Sequence, residues 1–455
     1  MLITNARVIT WGTPNQILED QGLLIREGKI DQLGTSQELV ALYPGEEQLD
    51  ARGQFVMPGN INCHGHFYSA LARGMAIPGD QPISLPTILE RLWWPFDKAL
   101  REEDVRFSAL ITLVDAVRHG TTTIFDHHSS PNFIEGSLDV IAEAVKQAGV
   151  RAVLCFETTD RDGDSRALAG IEENARFVKR CSRSQVANGR VKANFGMHAC
   201  MTLSEQTLAR CREAAPADAG FHIHLAEHEY DEYQSLAAGG TRSADRLQRH
   251  GLLNERTIGA HAIHLDAHEI EILAATGAVL SHQPRNNMNA GDGIADVESY
   301  LRAGINVCMG NDGLSYTMWK EWEFAYMAQK IKYRDARRLP ADRLMQMAVF
   351  NSAVLASRYY PEAPLGVIRS GAFADLIFVD YCPPTPVKVE NLPWHIVFGF
   401  NESMITTTIV DGKILMRDRV LLTLDEQEIS ARCRELAPDL WSRYEALVPS
   451  AHVLG

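Results

Sequence analysis

Two histidines separated by one residue are the first candidates for chemistry in this chain. His64 and His66 end a short apolar stretch that runs through Pro58-Gly59 into a predicted strand. Side chains two residues apart on a strand lie on the same face, so both imidazoles project from one strand end. Two imidazoles on one face can hold a divalent metal, although two of 16 histidines can also fall two apart by chance. Further ligands at matching strand ends would decide between these interpretations.

The elements that must position these histidines alternate between strand and helix. Seven further apolar stretches are predicted strands, and they cover 121–126, 152–156, 193–197, 221–225, 258–261, 278–282 and 305–309. Residues 103–119 have helical apolar spacing and are followed by Gly120, as expected of a helix and its C-cap. Eight strand–helix units at this length predict an α/β fold, a closed (β/α)8 TIM-like barrel. The alternative is an open doubly wound sheet, but no Gly-x-Gly-x-x-Gly follows an early strand.

Both ends of the chain have the alternating pattern of short strands. Neither end carries enough apolar surface to stand alone, so we expect a small β-sandwich built from both termini. The predicted units are a composite sandwich of 1–57 and 365–425, a catalytic barrel of 58–364, and a helical tail of 426–455. In the tail, Leu436, Leu440 and Leu447 share a helix face, which is typical of packing or a subunit contact.

Polar residues recur at the carboxyl ends of the predicted strands, where barrels of this kind place their catalytic side chains. These residues are His64, His66, Asp126, His127, His128, Glu157, His198, His224, Glu227, His261, His282 and Asp312. Of the two histidines in the fifth strand, we expect His224 to be the third metal ligand and His222 to fill a lower layer. Three neutral imidazoles and the Asp312 carboxylate, with one position left for water, describe a hydrolytic metal site. A nearby Glu can then carry a proton.

Composition excludes several classes of partner. The chain of 455 residues is 45% hydrophobic and 22% charged, which is ordinary for a large enzyme. A formal charge of -14 argues against nucleic acid and anionic membrane surfaces as partners. No apolar segment is long enough to span a bilayer, and the first ten residues lack the apolar core of a signal peptide. Eight scattered cysteines without a Cys-x-x-Cys pair predict free thiols and a cytoplasmic location.

Five motifs follow one another along the chain: Pro58-Gly59 with His64-Gly65-His66, His224-Leu225-Ala226-Glu227, Ala260-His261, Ser281-His282-Gln283-Pro284 and Gly310-Asn311-Asp312-Gly313. In order and spacing they resemble the amidohydrolase superfamily, within it the cytosine deaminase-like and chlorohydrolase-like aminohydrolases. Further stretches look like the SsnA group of aminohydrolases: Leu92-Trp93-Trp94, Asp126-His127-His128-Ser129-Ser130-Pro131, Cys155-Phe156-Glu157-Thr158-Thr159-Asp160-Arg161 and Asn287-Met288-Asn289. The resemblance covers essentially the whole chain.

This resemblance implies a role for each matching residue. His64, His66, His224 and Asp312 would be the metal ligands, Glu227 the proton shuttle, and His261 the group that polarises the attacked centre; Glu227, His261 and Asp312 would be catalytic. One divalent metal per chain is implied, zinc first and iron second. The dinuclear branches use a carboxylated lysine at the fourth strand, whereas here Lys192 is predicted to precede that strand.

The implied reaction is hydrolytic deamination of a nitrogen heterocycle, such as a purine, pterin, pyrimidine or triazine, with release of ammonia. One alternative keeps the metal site but cleaves an amide, ring C–N or carbon–halogen bond. A second alternative is a non-catalytic binding protein on the same fold, which would be expected to lack some of the ligands. We expect a small-molecule partner, no nucleic acid, no membrane, and a homo-oligomer of two or more chains.

Substrate contacts are predicted on the loops above the strand ends. The aromatic side chains Tyr68 and Trp93 can stack on a ring. The guanidinium groups of Arg161 and Arg285 can hold a carbonyl or carboxylate, with surface salt bridges as the alternative. Glu157 and His198 stand at strand ends and are further candidates. Relative to the family pattern, Asn311 replaces a common threonine and Tyr316 a common serine, which affects the pocket more than the metal site.

Overall fold

The computed structural model describes residues 1–183 and 185–448. Its strands are β1 Leu2–Ile9, β2 Ile17–Arg26, β3 Lys29–Thr35, β4 Gln48–Asp50, β5 Phe55–Pro58, β6 Asn60–Gly65, β7 Thr121–His128, β8 Arg151–Phe156, β9 Val191–Ala193, β10 Phe195–Ala199, β11 Phe221–Leu225, β12 Ile258–His261, β13 Val279–His282, β14 Asn306–Met309, β15 Leu376–Val379, β16 Ile405–Val410, β17 Lys413–Arg417 and β18 Val420–Leu421.

The α-helices are α1 Ser36–Leu42, α2 Leu85–Ile88, α3 Trp94–Ala99, α4 Glu102–Arg118, α5 Ser137–Ala148, α6 Asp164–Arg183, α7 Glu205–Ala214, α8 Glu229–Gly239, α9 Ser243–Arg249, α10 Ala267–Thr276, α11 Pro284–Ala290, α12 Val297–Arg302, α13 Met318–Tyr333, α14 Ala341–Met345, α15 Ser352–Tyr359, α16 Leu392–Phe398 and α17 Glu426–Leu447. Short 3₁₀ segments lie at Phe67–Ala72, Val186–Gly189, Cys200–Thr202 and Glu402–Met404, and π-helical turns at Leu89–Trp93 and Gln346–Asn351. No helix in the described part of the chain is long and apolar enough to cross a membrane.

Strands from both ends of the chain lie in one mixed sheet. Its order is β18-β17-β16-β15-β5-β1-β2-β3, with β4 beside β1. The antiparallel pair β2–β3 turns at Glu27 and Gly28, whose φ values of 48° and 75° suit the tight two-residue turn of a hairpin. Apolar side chains from both ends, among them Ile3, Val56 and Leu376, share one buried cluster beneath this sheet. The two-layer sandwich predicted for these strands stays a prediction.

The central strands form two parallel sheets, β6-β7-β8-β9 and β10-β11-β12-β13-β14. Every residue of β7, β8 and β10 to β13 is buried, as expected where helices cover parallel strands. Isolated parallel bridges join Gly65 to Asp312 and Thr158 to Met197, one at each seam between the two sheets. The fold is therefore α/β with parallel central strands, and the carboxyl ends of both sheets meet at one mouth.

The predicted fourth strand at 193–197 is wrong in one respect, because it is two strands. Val191–Ala193 pairs with β8, whereas Phe195–Ala199 pairs with β11. Asn194 separates them: its N–H donates to Leu154 O, but the next N–H, of Phe195, donates to Gly220 O. Lys192 consequently lies inside β9 rather than before the strand, and its Nζ pairs with Glu362 at 2.6 Å.

A helix at the carboxyl end of the chain holds the loops over the mouth. The predicted tail corresponds to α17, although its last residues, 449–455, lie outside the described residues. Trp441 Nε1 donates to Leu71 O at 2.8 Å, and Tyr444 Oη donates to Arg91 O at 2.8 Å. The two bonds fix the segment between β6 and α4, which forms one wall of the mouth.

Candidate active site

The central strands deliver the predicted ligands to one point. His64 lies in β6, His66 follows that strand, His224 lies in β11, and Asp312 follows β14. Gly65 has to be glycine because a Cβ there would lie 2.7 Å from Tyr316 Oη and 2.8 Å from Asn311 Oδ1. The absent side chain thus lets the backbone between the two histidines approach the last strand.

At this point a ring nitrogen that accepts faces a carboxylate oxygen, which also accepts. His66 Nδ1 lies 2.6 Å from His127 O, and since a carbonyl only accepts, Nδ1 carries the proton. In the neutral ring, Nε2 then has a lone pair, and it lies 3.4 Å from Asp312 Oδ1 and 3.3 Å from His224 Nε2. Such an arrangement is unfavourable unless a cation lies between the groups, so the donor set fits a divalent metal.

His64 supports the same interpretation. Its Nε2 is buried without a hydrogen-bond partner and lies 3.8 Å from Asp312 Oδ2. Burial, together with the neighbouring imidazoles, holds the pKa of His64 well below its ordinary value, and the same causes lower the pKa of His224. Both rings are therefore neutral, which is the form that binds metal. All four predicted ligands belong to groups of side chains whose ligand atoms lie within 4.8 Å of one another. One group is His64, His66, His127 and His224, and the other is His64, His261 and Asp312.

Three positions at this site have a left-handed backbone. Ala226, His261 and Asp312 have φ values of 49°, 73° and 60°, in the region that non-glycine residues seldom adopt. Asp312 is held there by its own carboxylate, which accepts from Gly313 N–H at 2.7 Å and from Asn286 Nδ2 at 3.0 Å. The side chains of His261 and Asp312 line the cavity, whereas Ala226 packs in the apolar core.

Glu227 and His261 lie beside the ligand cluster. His261 Nδ1 bonds to Asn287 Oδ1 at 2.8 Å, which leaves Nε2 facing Asp312 Oδ2 at 3.4 Å and Glu227 Oε1 at 3.5 Å. Burial, with the nearby carboxylates, raises the pKa of Glu227 well above its ordinary value. A protonated carboxyl next to an imidazole is equipped to deliver a proton to a bound molecule.

Two histidines that were not predicted to be metal ligands support the ligands from below. His222 Nε2 lies 2.8 Å from His64 Nδ1, so the sequence analysis was incomplete in giving His222 only a filling role. The His127 ring stacks on His222, with centroids 4.5 Å apart and an interplanar angle of 11°. The His-x-His spacing in β11 was the available signal, since it repeats the spacing at His64 and His66.

A cavity of about 560 Å³ opens above the cluster. Its lining includes all six residues predicted to contact substrate, Tyr68, Trp93, Glu157, Arg161, His198 and Arg285. It also includes residues that the sequence analysis did not select, among them Asp97 and Asn286. His198 Nδ1 bonds to Thr202 Oγ1 at 2.8 Å, which leaves its other nitrogen 3.9 Å from Glu157 Oε2.

The two departures from the family pattern differ in their placement. Asn311 Oδ1 accepts from Asn62 Nδ2 at 2.6 Å and its Nδ2 donates to Leu314 O at 2.7 Å, so it ties β6 to the loop after β14. Tyr316 is buried and does not line the cavity, whereas Ser315 does. Both replacements therefore act behind the ligands.

Comparison with known proteins gives this geometry a context. A sequence model of the amidohydrolase family matches residues 55–415. A 5'-deoxyadenosine deaminase from Methanosarcina mazei is 32% identical over 448 residues, which are 97% of this chain and 99% of that protein. A 5-methylthioadenosine/S-adenosylhomocysteine deaminase from Pelotomaculum thermopropionicum is 31% identical over 449 residues, 97% of this chain and 99% of that protein.

The fold has a close counterpart among solved structures. An adenosine deaminase from Xanthomonas campestris with bound zinc superimposes with a TM-score of 0.83 at 24% identity, covering 97% of this chain and 98% of that one. At this identity the likeness concerns the fold alone. The family match and the relatives above 30% identity extend over most of the chain. The chain therefore belongs to the amidohydrolase family.

Proposed function

We propose that this protein is a metal-dependent deaminase that hydrolyses the exocyclic amine from a nitrogen heterocycle and releases ammonia. The observation that carries the proposal is the convergence of potential ligand atoms from His66, His224 and Asp312, with Glu227 and His261 beside them. The names of the relatives, which are deaminases of adenosine derivatives, make an adenine nucleoside the first substrate class to examine.

One divalent metal would be held by His64, His66, His224 and Asp312. When bound, such a metal lowers the pKa of a water molecule and stabilises negative charge on oxygen. Zinc is the first choice because the Xanthomonas campestris protein contains it, and iron is the second because it accepts the same nitrogen and oxygen ligands.

The side chains around the metal site carry out the proton transfers and stabilise the charge that develops during the reaction. Glu227, protonated in its buried position, donates its proton to the ring nitrogen next to the amine-bearing carbon. One proton of the attacking water replaces the proton that Glu227 gives up, and the carboxylate of Asp312 accepts the other and passes it to the leaving amine, so the oxygen remains as the carbonyl of the product. The His261 ring, oriented through Asn287, donates or accepts at its Nε2 and stabilises charge at the attacked centre. Ammonia leaves when the carbon–nitrogen bond breaks.

The cavity walls would orient the heterocycle. Tyr68 and Trp93, whose rings meet edge to face with centroids 6.4 Å apart, offer faces for stacking. Glu157 and His198 reach the inner part of the cavity and suit the N–H groups and ring nitrogens of a substrate. Arg161 and Arg285 also line the cavity and suit oxygen acceptors.

A substrate panel tests the proposal. Metal-replete protein is incubated with adenine nucleosides, guanine, pterins, pyrimidines and aminotriazines, and released ammonia is measured. We expect ammonia from at least one adenine nucleoside. Release of chloride or cleavage of a ring bond without ammonia would move the reaction to the alternative class, and no hydrolysis of any compound would contradict the proposal.

The Glu227→Gln variant tests the proton transfer. Glutamine keeps the shape but has no acidic proton, so we expect turnover to fall by about 10²–10⁴-fold while metal content is unchanged. Full activity in the variant would remove Glu227 from the mechanism. Asn286→Ala is a matched comparison, because it removes a hydrogen bond to Asp312 but leaves every proton donor in place.

We further propose that the two parallel sheets close into one (β/α)8 barrel of residues 58–364. In this arrangement, 1–57 and 365–425 form a β-sandwich domain and 426–455 a helical tail. The bridges at both seams support closure. A cytoplasmic location, a homo-oligomeric state and the absence of nucleic-acid partners stay predictions from the sequence.

A further inference from the structure

One wall of the cavity contains a buried ion pair that neutralises the charge of one of the cavity arginines. Arg161 Nη2 bonds to Asp97 Oδ2, and the two side chains are only 7% and 2% exposed. A second carboxylate, of Asp162, lies 3.5 Å from Arg161 Nε but has a cation of its own, because it pairs with Lys98 Nζ at 2.5 Å. The guanidinium therefore presents no net positive charge to a molecule in the cavity.

The second cavity arginine is neutralised in the same way. Arg285 Nε bonds to Oε1 of Glu321, which is fully buried, and its Nη groups donate to Thr317 Oγ1 at 2.9 Å and to Ser315 O at 2.7 Å. Arg73 also reaches the cavity, but it is exposed at the rim, where water and salt screen its charge.

The same region retains groups that suit an uncharged ligand. Arg161 Nε, Arg161 Nη1 and Asp97 Oδ1 are buried without hydrogen-bond partners, so the ion pair offers both donors and an acceptor. The wall beyond them is apolar and contains Met75, Ile77, Leu85, Ile88 and Leu89. A neutral polar substituent with apolar surroundings matches both features, because buried polar groups require partners.

We propose that the cavity selects uncharged adenine nucleosides over anionic ones, and that Asp97 determines this selectivity by cancelling the charge of Arg161. The inference rests on the proposed deaminase function and specifies its substrate class. An anionic ligand would have to take Arg161 from Asp97, which would leave a buried carboxylate unpaired, or lie beside the Asp97 carboxylate without a cation of its own. Both arrangements are strongly unfavourable in a site that excludes water.

A pair of nearly isosteric ligands tests the inference. Adenosine-5′-carboxamide and adenosine-5′-carboxylate differ by one charge at the substituent. We expect kcat/KM of the metal-replete enzyme to favour the carboxamide by at least about tenfold. In Asp97→Asn, Arg161 regains its charge, so the ratio should move towards the carboxylate by about tenfold or more. Asp139→Asn, which removes a carboxylate from the surface pair with Arg176, should leave the ratio unchanged.

A second variant acts in the opposite direction and covers the case in which Asp97→Asn does not fold. Arg161→Gln removes the guanidinium that an anionic substituent could take from Asp97, so, with Asp97 ionised or protonated, the preference for the carboxamide should increase. Circular dichroism and metal content establish that each variant is folded and loaded. Equal use of both ligands by the wild type, or an unchanged ratio in both folded variants, would overturn the inference.

Binding measurements separate this inference from the proposed function. Calorimetric titration of both ligands into metal-replete Glu227→Gln protein gives their affinities without turnover. Tighter binding of the carboxamide to this variant, together with no ammonia from the wild-type enzyme on any substrate of the panel, would support the charge selectivity and count against the deaminase. Binding of neither ligand would overturn the inference, because it specifies this ligand class.

Discussion

Two buried clusters of ionisable side chains lie at opposite ends of the central strands, and they are built differently. At the amino end, Arg151 Nε donates to Asp375 at 2.6 Å and its Nη2 donates to Asp411 at 3.1 Å. Asp375 also accepts from the Asp411 N–H at 2.8 Å, and the guanidinium lies 3.9 Å from the centroid of the Phe373 ring. Every charge in this cluster has an opposite charge or a donor beside it.

The cluster at the carboxyl end does not have this internal balance. The lone pair of His66 Nε2 faces the carboxylate oxygen Asp312 Oδ1 at 3.4 Å, and His64 Nε2 has no partner although it is buried. The first cluster joins the central strands to the terminal sheet and is complete by itself. The second cluster is complete only with a bound cation, and the difference separates a structural ion pair from a functional site.

Removing one metal ligand should produce the largest effect. In His224→Ala, loss of one imidazole from four ligands should reduce bound metal from about one per chain to much less, and activity should fall with it. Elemental analysis of purified protein measures the change. His250→Ala, which removes an imidazole paired with Glu205 outside the site, should keep the full metal content. Retained metal in His224→Ala would break the proposed distinction between the clusters.

Breaking the balanced cluster should affect stability instead of metal binding. Asp375→Asn leaves Arg151 buried with a weakened partner, and the free energy of unfolding should fall by about 3–5 kcal/mol. Denaturant unfolding measures it, while metal content and kcat of the folded protein should be unchanged. Glu143→Gln, at an exposed pair with Lys146, should change stability by about 0.5 kcal/mol or less. A loss of metal in Asp375→Asn would mean that the two ends are coupled.

A smaller effect is expected for the histidine below the ligands. His222→Phe keeps a ring against His127 but removes the bond to His64, so the ligand loses its fixed orientation. Metal affinity should weaken by about 10–100-fold, measured by competition with a chromophoric chelator. His222→Gln, which can still hydrogen-bond, should restore most of the affinity. Equal affinities in all three proteins would return His222 to a filling role.

The local pattern was sufficient for the positions of many site residues. Spacing of two on a strand placed His64 and His66 on one side, and strand ends pointed to Glu157, His198 and Asp312, because the direction of a side chain follows from strand geometry. The division of the predicted fourth strand into β9 and β10 at Asn194 could not be predicted from strand geometry. Both halves are strand-like in sequence, and their separation arises from hydrogen bonds to two different neighbours, β8 and β11.

The ion-pair and hydrogen-bond partners of the site residues also could not be predicted from the local sequence pattern. The guanidinium of Arg161 was considered a substrate contact or a surface salt bridge, yet it pairs in a buried position with Asp97, which lies 64 residues away. The bond between His222 and His64 spans 158 residues. Such pairs depend on how separate strands and helices meet, and no short-range periodicity encodes them.

The sequence by itself determined the alternation of strand and helix, the kinds of ligand present, and the motifs that assign the chain to its family, because these depend on residue type and spacing. Only the tertiary structure decided which nitrogen of each ring faces the site, which arginines are already neutralised, and which buried atoms lack a partner. These properties depend on distances between residues far apart in the chain. Affinity for a metal and selectivity for a substrate are decided by those distances.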